Sequence, residues 1–514
     1  MPQDVTHPPG DLGVSVLVNR TNPNTVAQIN RSLRRYGLNE YASDLVSVRR
    51  RLPDVRDPWC LEPNRLLSVL PATSVVIVFY NELWSVLVRS VHSVLDRTPP
   101  HLLREIILVD DGSHFPFLKT PLEEYFQQYA KVKIRRTKQR LGLIRARMFG
   151  AKQASAEILT FLDAHVECTK GWIEPLLDLV ARNSTTIAIP TIDRIDEIDM
   201  QFKTKDSLLQ AGAFEWDLNF GWCDRNLLHK RYAHRSEPFE TPAMAGGLFT
   251  INRGFFERLG WYDEGFLIYG LENIELSMKC WMCGGTLLTV PCSRVGHIQK
   301  WTHPYLFNLT VDVELYNSVR LAEVWMDEYR QVVLDVNGVR RYTENLFGSV
   351  SDRKRARERA NCKPFRYYLE RAFPELKSPA ILGQFRGEVR NVALGNNFCL
   401  AVGRLVGSVP HMSQCDGREE QYWSHSYFQD INSYKKCLEY SGTHLGAITC
   451  HRRRGNQEWM YVYETGQIWS TKHNQCLAVQ AAQNDSLMME ECNVTSKYQQ
   501  WRVNQVEYEF LKKN

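Results

Sequence analysis

The sequence predicts two unlike domains: a front α/β domain built on a parallel sheet, then an all-β domain closed into a β-trefoil. Three observations carry this. At 514 residues the chain exceeds what one hydrophobic core usually supports. Apolar strand runs alternate with helical periodicity between residues 74 and 165. From residue 380 onward, short strands recur with a period of about 40 residues.

Residues 1–70 carry Pro8-Pro9, Asn22-Pro23 and an amphipathic stretch near 27–48, and read as a stem and lead-in. The front domain is expected over 71–375. Ser74–Tyr80 is a buried-strand run, followed by Leu83, Val86, Leu87, Val91, Val94 and Leu95 at helical spacing. Glu105–Asp111 is a second strand, then a helix ends near Tyr129. Lys131–Arg136 is a third strand, Gly142–Ala154 a helix, and Ile158–Leu162 a fourth strand. This alternation predicts a parallel sheet covered on both faces. Ligands bind such sheets at the carboxyl ends of the strands, where Asp110, Asp111, Asp163 and His165 fall.

The trefoil is expected over 380–510. Each repeat opens with Cys-Leu (Cys399-Leu400, Cys437-Leu438, Cys476-Leu477) and ends with Gln-x-Trp at Gln421–Trp423, Gln457–Trp459 and Gln499–Trp501. Its six cysteines fall as pairs 16, 13 and 16 residues apart, too distant for zinc knuckles, and read as disulfides. Disulfides imply an oxidising compartment, and six N-x-S/T sequons agree.

The 44% hydrophobic and 24% charged fractions are those of an ordinary globular protein. A net charge of +5 is too small to argue for nucleic acid. Arg49-Arg50-Arg51 and Arg452-Arg453-Arg454 read as solvated surface. No apolar run reaches the roughly 18 residues that span a bilayer, and no signal peptide is present. A membrane anchor, if the protein has one, is therefore expected to lie outside this chain.

Asp163-x-His165 is the sharpest local motif. In an extended segment the two side chains share one side and could grip one cation, manganese being suited to the mixed O/N donors. The alternative is a hydrogen-bonded pair at a strand end. A third ligand must come from afar, and His297 is the candidate. Asp110-Asp111 suits a ribose or uracil edge, or a plain helix cap. Gly142–Arg147 opens a helix whose arginines could meet a base or phosphate. Gly246-Gly247, within Met244–Phe249, allows a close backbone approach to a sugar, or simply a tight turn.

Taken in order, Tyr80-Asn81-Glu82, Val109-Asp110-Asp111, Gly142–Arg147, Asp163-Ala164-His165, Met244–Phe249, Glu272-Asn273, Trp281–Gly285, Val295-Gly296-His297, Glu323–Glu328 and Cys362–Phe365 resemble the polypeptide N-acetylgalactosaminyltransferases. The likeness runs from about residue 40 to the C-terminus. It implies a GT-A, Rossmann-like nucleotide-sugar domain followed by a ricin B-type lectin trefoil. It further implies retaining transfer of GalNAc from UDP-GalNAc to Ser or Thr of mucin-like proteins, in the Golgi lumen, by a type II membrane protein. By position, Asp163, His165 and His297 would bind Mn2+, while Asp111 and Arg140 hold the uridine end. Tyr80 stands where a histidine contacts the nucleotide. Glu272 and Asn273 would lie against the donor sugar, with Gly247, Tyr269, Lys300 and Tyr305 around the donor. The resemblance also implies Cys60–Cys292 and Cys283–Cys362, beside Cys399–Cys415, Cys437–Cys450 and Cys476–Cys492. Cys168, Cys223 and Cys280 are left over.

The chain departs from the family where Tyr269-Gly270-Leu271 replaces Trp-Gly-Gly, where Tyr80 replaces histidine, and at Ile298–Trp301 after the metal histidine. Leu271 adds a side chain and backbone strain beside the donor sugar. Lys300 keeps a positive charge without a bidentate phosphate contact. Gln299 replaces an aromatic that meets the acceptor. In the lectin repeats the acidic position is Ala401 in the first and Ala478 in the third. The second alone keeps Glu439, with His451 and Asn456. Two expectations follow: an active transferase, or a weak or inactive pseudo-transferase that binds UDP or glycoprotein and modulates O-glycosylation.

Overall fold

The computed structural model describes residues 8–204, 210–225, 232–300, 311–337, 339, 347–374, 376, 385–395, 397–403, 407–426, 429–433, 436–451, 454–480 and 485–504. The chain divides into two compact units, Met1–Met326 with Phe347–Glu375, and Asp327–Leu346 with Leu376–Asn514. These bounds differ from the 1–70, 71–375 and 380–510 division. The lead-in packs into the first unit: Arg50 is buried, and its guanidinium meets both oxygens of Glu167 at 2.8 and 2.9 Å. Arg89 donates to the same carboxylate at 3.0 Å. The Arg49–Arg51 run is thus not uniformly solvated; the flanking side chains are 51% and 65% exposed, while Arg50 is interior. Arg452 and Arg453 lie outside the described residues, and Arg454 is exposed. In the second unit Asp335 pairs with Arg386, which ties Asp327–Leu346 to the trefoil.

The first unit's strands are β1 Thr73–Phe79, β2 Leu103–Asp110, β3 Val132–Arg136, β4 Ile158–Asp163, β5 Val166–Cys168, β6 Thr186–Ile195, β7 Phe202–Lys203, β8 Gln210–Phe214, β9 Phe220–Asp224, β10 Phe239–Glu240, β11 Phe249–Asn252 and β12 Thr286–Ile298. The main sheet runs β10-β12-β6-β11-β4-β1-β2-β3, with β5 on β12 and β7 on β6. Strands β3, β2, β1 and β4 are parallel, but β11 is antiparallel to both β4 and β6. The sheet is therefore mixed, not parallel throughout. The strand–helix alternation reports the parallel half, whereas β11 is four residues long, too short to leave a periodic signal. Val75, Ile77, Ile106 and Leu108 pack with Leu87, Val91 and Val94 of the helix Trp84–Arg97, so these strands read as near-continuous apolar runs.

In the second unit the three repeats pack around Trp423, Trp459 and Trp501, each fully buried. Each indole N–H donates to the carbonyl of its own repeat's Cys-Leu leucine: Leu400 at 2.8 Å, Leu438 at 2.8 Å and Leu477 at 2.9 Å. The glutamine two residues earlier closes the loop after the second cysteine. Its Oε1 accepts from Asp416, His451 or Asn493 N–H. This is why the Cys-Leu and Gln-x-Trp signals recur together. All five expected disulfides form, and Cys168, Cys223 and Cys280 lie outside them. Burial pushes the Cys168 thiol up to about 12, which leaves it inert. Among the described residues, no helix is long and apolar enough to cross a membrane.

His425 is buried in the second unit, and its Nε2–H donates to the Trp459 carbonyl at 2.8 Å. Burial pulls this imidazole down to about 4 from 6.5. The folded state therefore prefers the neutral ring; its contribution is complete above pH 6.5 and is lost as pH falls towards 4. Calorimetry should find the second unit's melting transition weakening across that window, by on the order of 3 kcal/mol. His425→Gln, which keeps an N–H donor but cannot titrate, should flatten that dependence.

Candidate active site

Asp163 is the last residue of β4, and Ala164-His165 turns the chain into β5. Strand β12 runs antiparallel to β5 with His297 opposite Val166, and the Ile298 N–H donates to the His165 carbonyl at 3.0 Å. This register brings three distant side chains together. Ligand atoms of Asp163, His165 and His297 lie within 4.8 Å of one another. A turn, not a continuous extended segment, brings Asp163 and His165 to one side. Within the cluster Asp163 is hydrogen-bonded to His297, not His165 (Oδ2 to Nε2, 3.2 Å), while the two imidazoles meet edge-to-face at 4.7 Å. The other two groups of potential metal ligands among the described residues draw on disulfide sulfurs, which are not available to a metal.

Two charged side chains organise this cluster: Arg147, expected from the sequence to meet a base or phosphate, and Glu82, to which the sequence assigns no role. Arg147, 3% exposed, donates to Asp163 Oδ1 at 3.0 Å and to Glu272 Oε1 at 3.3 Å. Burial opposes ionisation of Asp163, but His297 and Arg147 hold its carboxyl far below the usual range. Arg147 shares a helix face with Ile144, Met148 and Ala151, all buried. An arginine on an apolar stripe was the available signal, since a buried guanidinium needs carboxylate partners. Glu82 is the second. It accepts from His165 Nδ1 at 3.0 Å and from Lys300 Nζ at 2.8 and 3.0 Å. Burial resists its ionisation, yet Lys300 and His165 bring the carboxyl down to about 2. With Nδ1 engaged, His165 keeps Nε2 for a metal. Burial and the Lys300 charge lower the His165 imidazole to about 4, with Glu82 pulling the other way, so it is neutral and able to ligate.

A cavity of about 470 Å³ opens beside the cluster, lined among others by Tyr80, Asp111, Arg140, Gly247, Tyr269, Glu272 and Lys300. The Arg140 guanidinium stacks 3.6 Å from the Tyr80 ring centroid. The acidic pair divides its work. Asp110 is interior and pairs with Lys119 and Arg136. Asp111 accepts the Leu141 and Gly142 N–H groups at 2.7 and 2.9 Å, and so fixes the turn that carries Arg140. Tyr269 is 53% exposed at the rim. Lys300 reaches Glu82 and is itself nearly buried. Asn273 is set back: its amide donates to the Met244 carbonyl at 2.9 Å. Tyr305 lies outside the described residues. A second cavity of about 350 Å³, lined by Thr191, Gln210 and Trp222, shares Asp163, Ala245, Gly247, His297 and Gln299 with the first.

The glycines of Met244–Phe249 answer to close contacts. A Cβ on Gly247 would stand 2.3 Å from Asp163 Oδ2, and one on Gly246 2.5 Å from Asn273 Cβ. Leu271 has φ +70°, the left-handed region, directly before the helix Glu272–Met282. In the second lectin repeat, Glu439 accepts from Gln457 Nε2 at 3.0 Å, with His451 Nε2 3.9 Å away. The Asn456 amide oxygen accepts from Lys472 at 2.8 Å and faces His473 Nε2 at 3.3 Å.

These features define a nucleotide-sugar transferase domain joined to a lectin trefoil, and the comparisons agree. Residues 74–260 match the family model for glycosyl transferase family 2, and residues 385–501 that for the ricin-type beta-trefoil lectin domain. The chain is 44% identical to the putative polypeptide N-acetylgalactosaminyltransferase 9 of Drosophila melanogaster, over 97% of this chain and 77% of the relative. It is 42% identical to polypeptide N-acetylgalactosaminyltransferase 5 of Caenorhabditis elegans, over 96% and 79%. A crystal structure of GalNAc-T7 with UDP, GalNAc and Mn2+ superposes with a TM-score of 0.75 at 31% identity, covering 98% of this chain and 94% of that one. The chain belongs to the polypeptide N-acetylgalactosaminyltransferase family.

Gly247→Ala should push the Asp163 carboxylate away from Arg147 and His297. The expected cost is about 1–3 kcal/mol, the usual range for overpacking. It would appear as a lower unfolding temperature of the metal-free protein, and an unchanged one would show that the contact relaxes freely.

Proposed function

We propose that the protein transfers GalNAc from UDP-GalNAc to Ser or Thr hydroxyls of mucin-like polypeptides or glycopeptides, with retention and with Mn2+ as cofactor. The observation that carries this reading is the Arg147 bridge. It joins Asp163 of the ligand cluster to Glu272 within the cavity that also holds Tyr80, Asp111 and Arg140. The GalNAc-T7 crystal, which holds UDP, GalNAc and Mn2+, supports the same substrate and metal.

One carboxylate and two imidazoles, drawn close and with the His165 ring oriented by Glu82, suit a divalent ion. Asp163, His165 and His297 would hold it, and when bound it would neutralise charge on departing UDP. The remaining work belongs to the chain. Arg140, stacked on Tyr80, and Asp111 take the uridine end. Gly247 and Tyr269 flank the donor. Glu272, fixed by Arg147 and by the Gly270 N–H at 2.8 Å, faces the sugar hydroxyls, and Asn273 supports the Gly246-Gly247 backbone from behind. Lys300 acts through Glu82 on His165 more directly than on phosphate. The second cavity takes the acceptor, with Gln299 and Trp222 on its wall. Retention follows from same-face attack. The acceptor oxygen bonds to the anomeric carbon as its bond to UDP breaks, and the leaving phosphate oxygen takes the hydroxyl proton. Glu439, His451 and Asn456 form the lectin sugar site. Five disulfides suit the oxidising Golgi lumen.

The test is Mn2+-dependent transfer from UDP-GalNAc to naked and GalNAc-bearing mucin-like peptides. Asp163→Ala should abolish transfer; transfer that survives it, or that ignores Mn2+, overturns the reading. Glu82→Gln should weaken Mn2+ binding about 10- to 100-fold, the usual cost of losing a group that orients a metal-ligating histidine. Titration calorimetry measures this directly.

A further inference from the structure

The donor cavity is walled on one side by a loop with unusual backbone. Ile268, Gly270 and Leu271 have φ of +54°, +95° and +70°. For the β-branched Ile268 this region is a genuine outlier, and for Leu271 it is uncommon. Residues held this way persist only where the surroundings over-determine them. The surroundings here are largely one side chain. Asn317, fully buried on the helix Val313–Trp325, accepts the Leu267 N–H on Oδ1 at 2.9 Å. Its Nδ2 lies 3.0 Å from the Leu267 carbonyl, 3.3 Å from that of Tyr269 and 3.0 Å from that of Gly270, so its two N–H groups serve three acceptors, one of them shared. One amide thus serves four backbone groups across four residues.

What the loop carries makes this more than local stability. Ile268 and Tyr269 line the donor cavity, and the Gly270 N–H orients the Glu272 carboxylate at 2.8 Å. Ile268 also seats the start of the helix Leu143–Gln153: the Ile144 N–H faces its carbonyl at 3.4 Å, and a Cβ on Gly142 would lie 2.6 Å from its Cα. The contacts that hold the metal-ligand cluster, from Arg147, Glu82 and Lys300, do not pass through Asn317. Asp111 likewise holds its turn through Leu141 and Gly142.

We infer that Asn317 is a positioning residue for the donor sugar, acting on Glu272 and Tyr269 by clamping the left-handed loop between Leu267 and Leu271. The inference rests on the donor reading given above. Without the clamp, the strained residues relax towards negative φ, and the Gly270 N–H leaves the Glu272 carboxylate. Recognition of the sugar then fails, while recognition of the nucleotide and metal survives.

The test compares Asn317→Ala and Asn317→Leu with wild type; leucine keeps the branched shape of asparagine and removes all four hydrogen bonds. Calorimetric titrations with Mn2+, with UDP, and with UDP-GalNAc are each run on the full chain. Both variants should keep Mn2+ and UDP affinity within about threefold and should lose the preference for UDP-GalNAc over UDP. Transfer kcat should fall about 100-fold, the scale on which small misplacements act, with the acceptor KM unchanged. A purely packing role predicts that leucine restores wild-type behaviour, and that result overturns the inference. So does a uniform loss of Mn2+, UDP and UDP-GalNAc binding. If alanine prevents folding, the leucine variant decides by the same ratio. Wild-type protein without transfer would defeat the functional reading instead, leaving the clamp to stand or fall on the binding ratio.

Discussion

Arg147 is almost wholly buried, and a guanidinium in that position holds its charge only against carboxylates. Two are supplied, Asp163 from the end of β4 and Glu272 from the start of a helix more than a hundred residues later. The rest of the site follows from that balance. Asp163 is ionised because Arg147 and His297 face it, and an ionised Asp163 is what makes the three-residue cluster competent for a cation. Glu272 is drawn to the cavity wall by the same guanidinium. Breaking one arm would leave a buried charge unpaired, which costs far more than the pair contributes. The fold therefore has to deliver both carboxylates to one point, and β4, β11 and the glycines at 246 and 247 are packed to allow it.

The same economy recurs at Glu82 and Glu167. Glu82 sits between His165 and Lys300, so Lys300 bears on the orientation of the His165 ring. Glu167 takes two arginines, one from the lead-in, which makes residues near 50 part of the sheet's foundation. Asp163 and the buried Glu82, Glu167 and Glu272 thus knit segments far apart in the chain around β4, β5 and β12.

Much of this was legible in the sequence. The order and type of the parallel strands follow from alternating periodicity, and the trefoil from repeats whose Trp and Gln do the same job three times. Asp163, His165 and His297 could be named from the Asp-x-His spacing after a strand and a distant histidine, although the turn at Ala164-His165 that brings the first two together was not legible. What escaped was whatever depends on long-range register. The antiparallel β11 is too short to announce itself. Arg50 sits in a basic run that looks solvated until Glu167 meets it. The sequence points Arg147 at a base or phosphate and gives Glu82 no role, because their true partners lie 16 to 218 residues away. Leu271 was legible as strained, but not what bears the strain, since Asn317 reaches the loop from 47 to 50 residues further along the chain.

The most direct measurement is anomalous scattering near the manganese edge from crystals grown with Mn2+ and UDP. The account predicts one strong peak within coordination distance of Asp163, His165 and His297, with Arg147 still spanning Asp163 and Glu272. A peak held by other residues, or one reached only after Asp163 has swung away from Arg147, would contradict it.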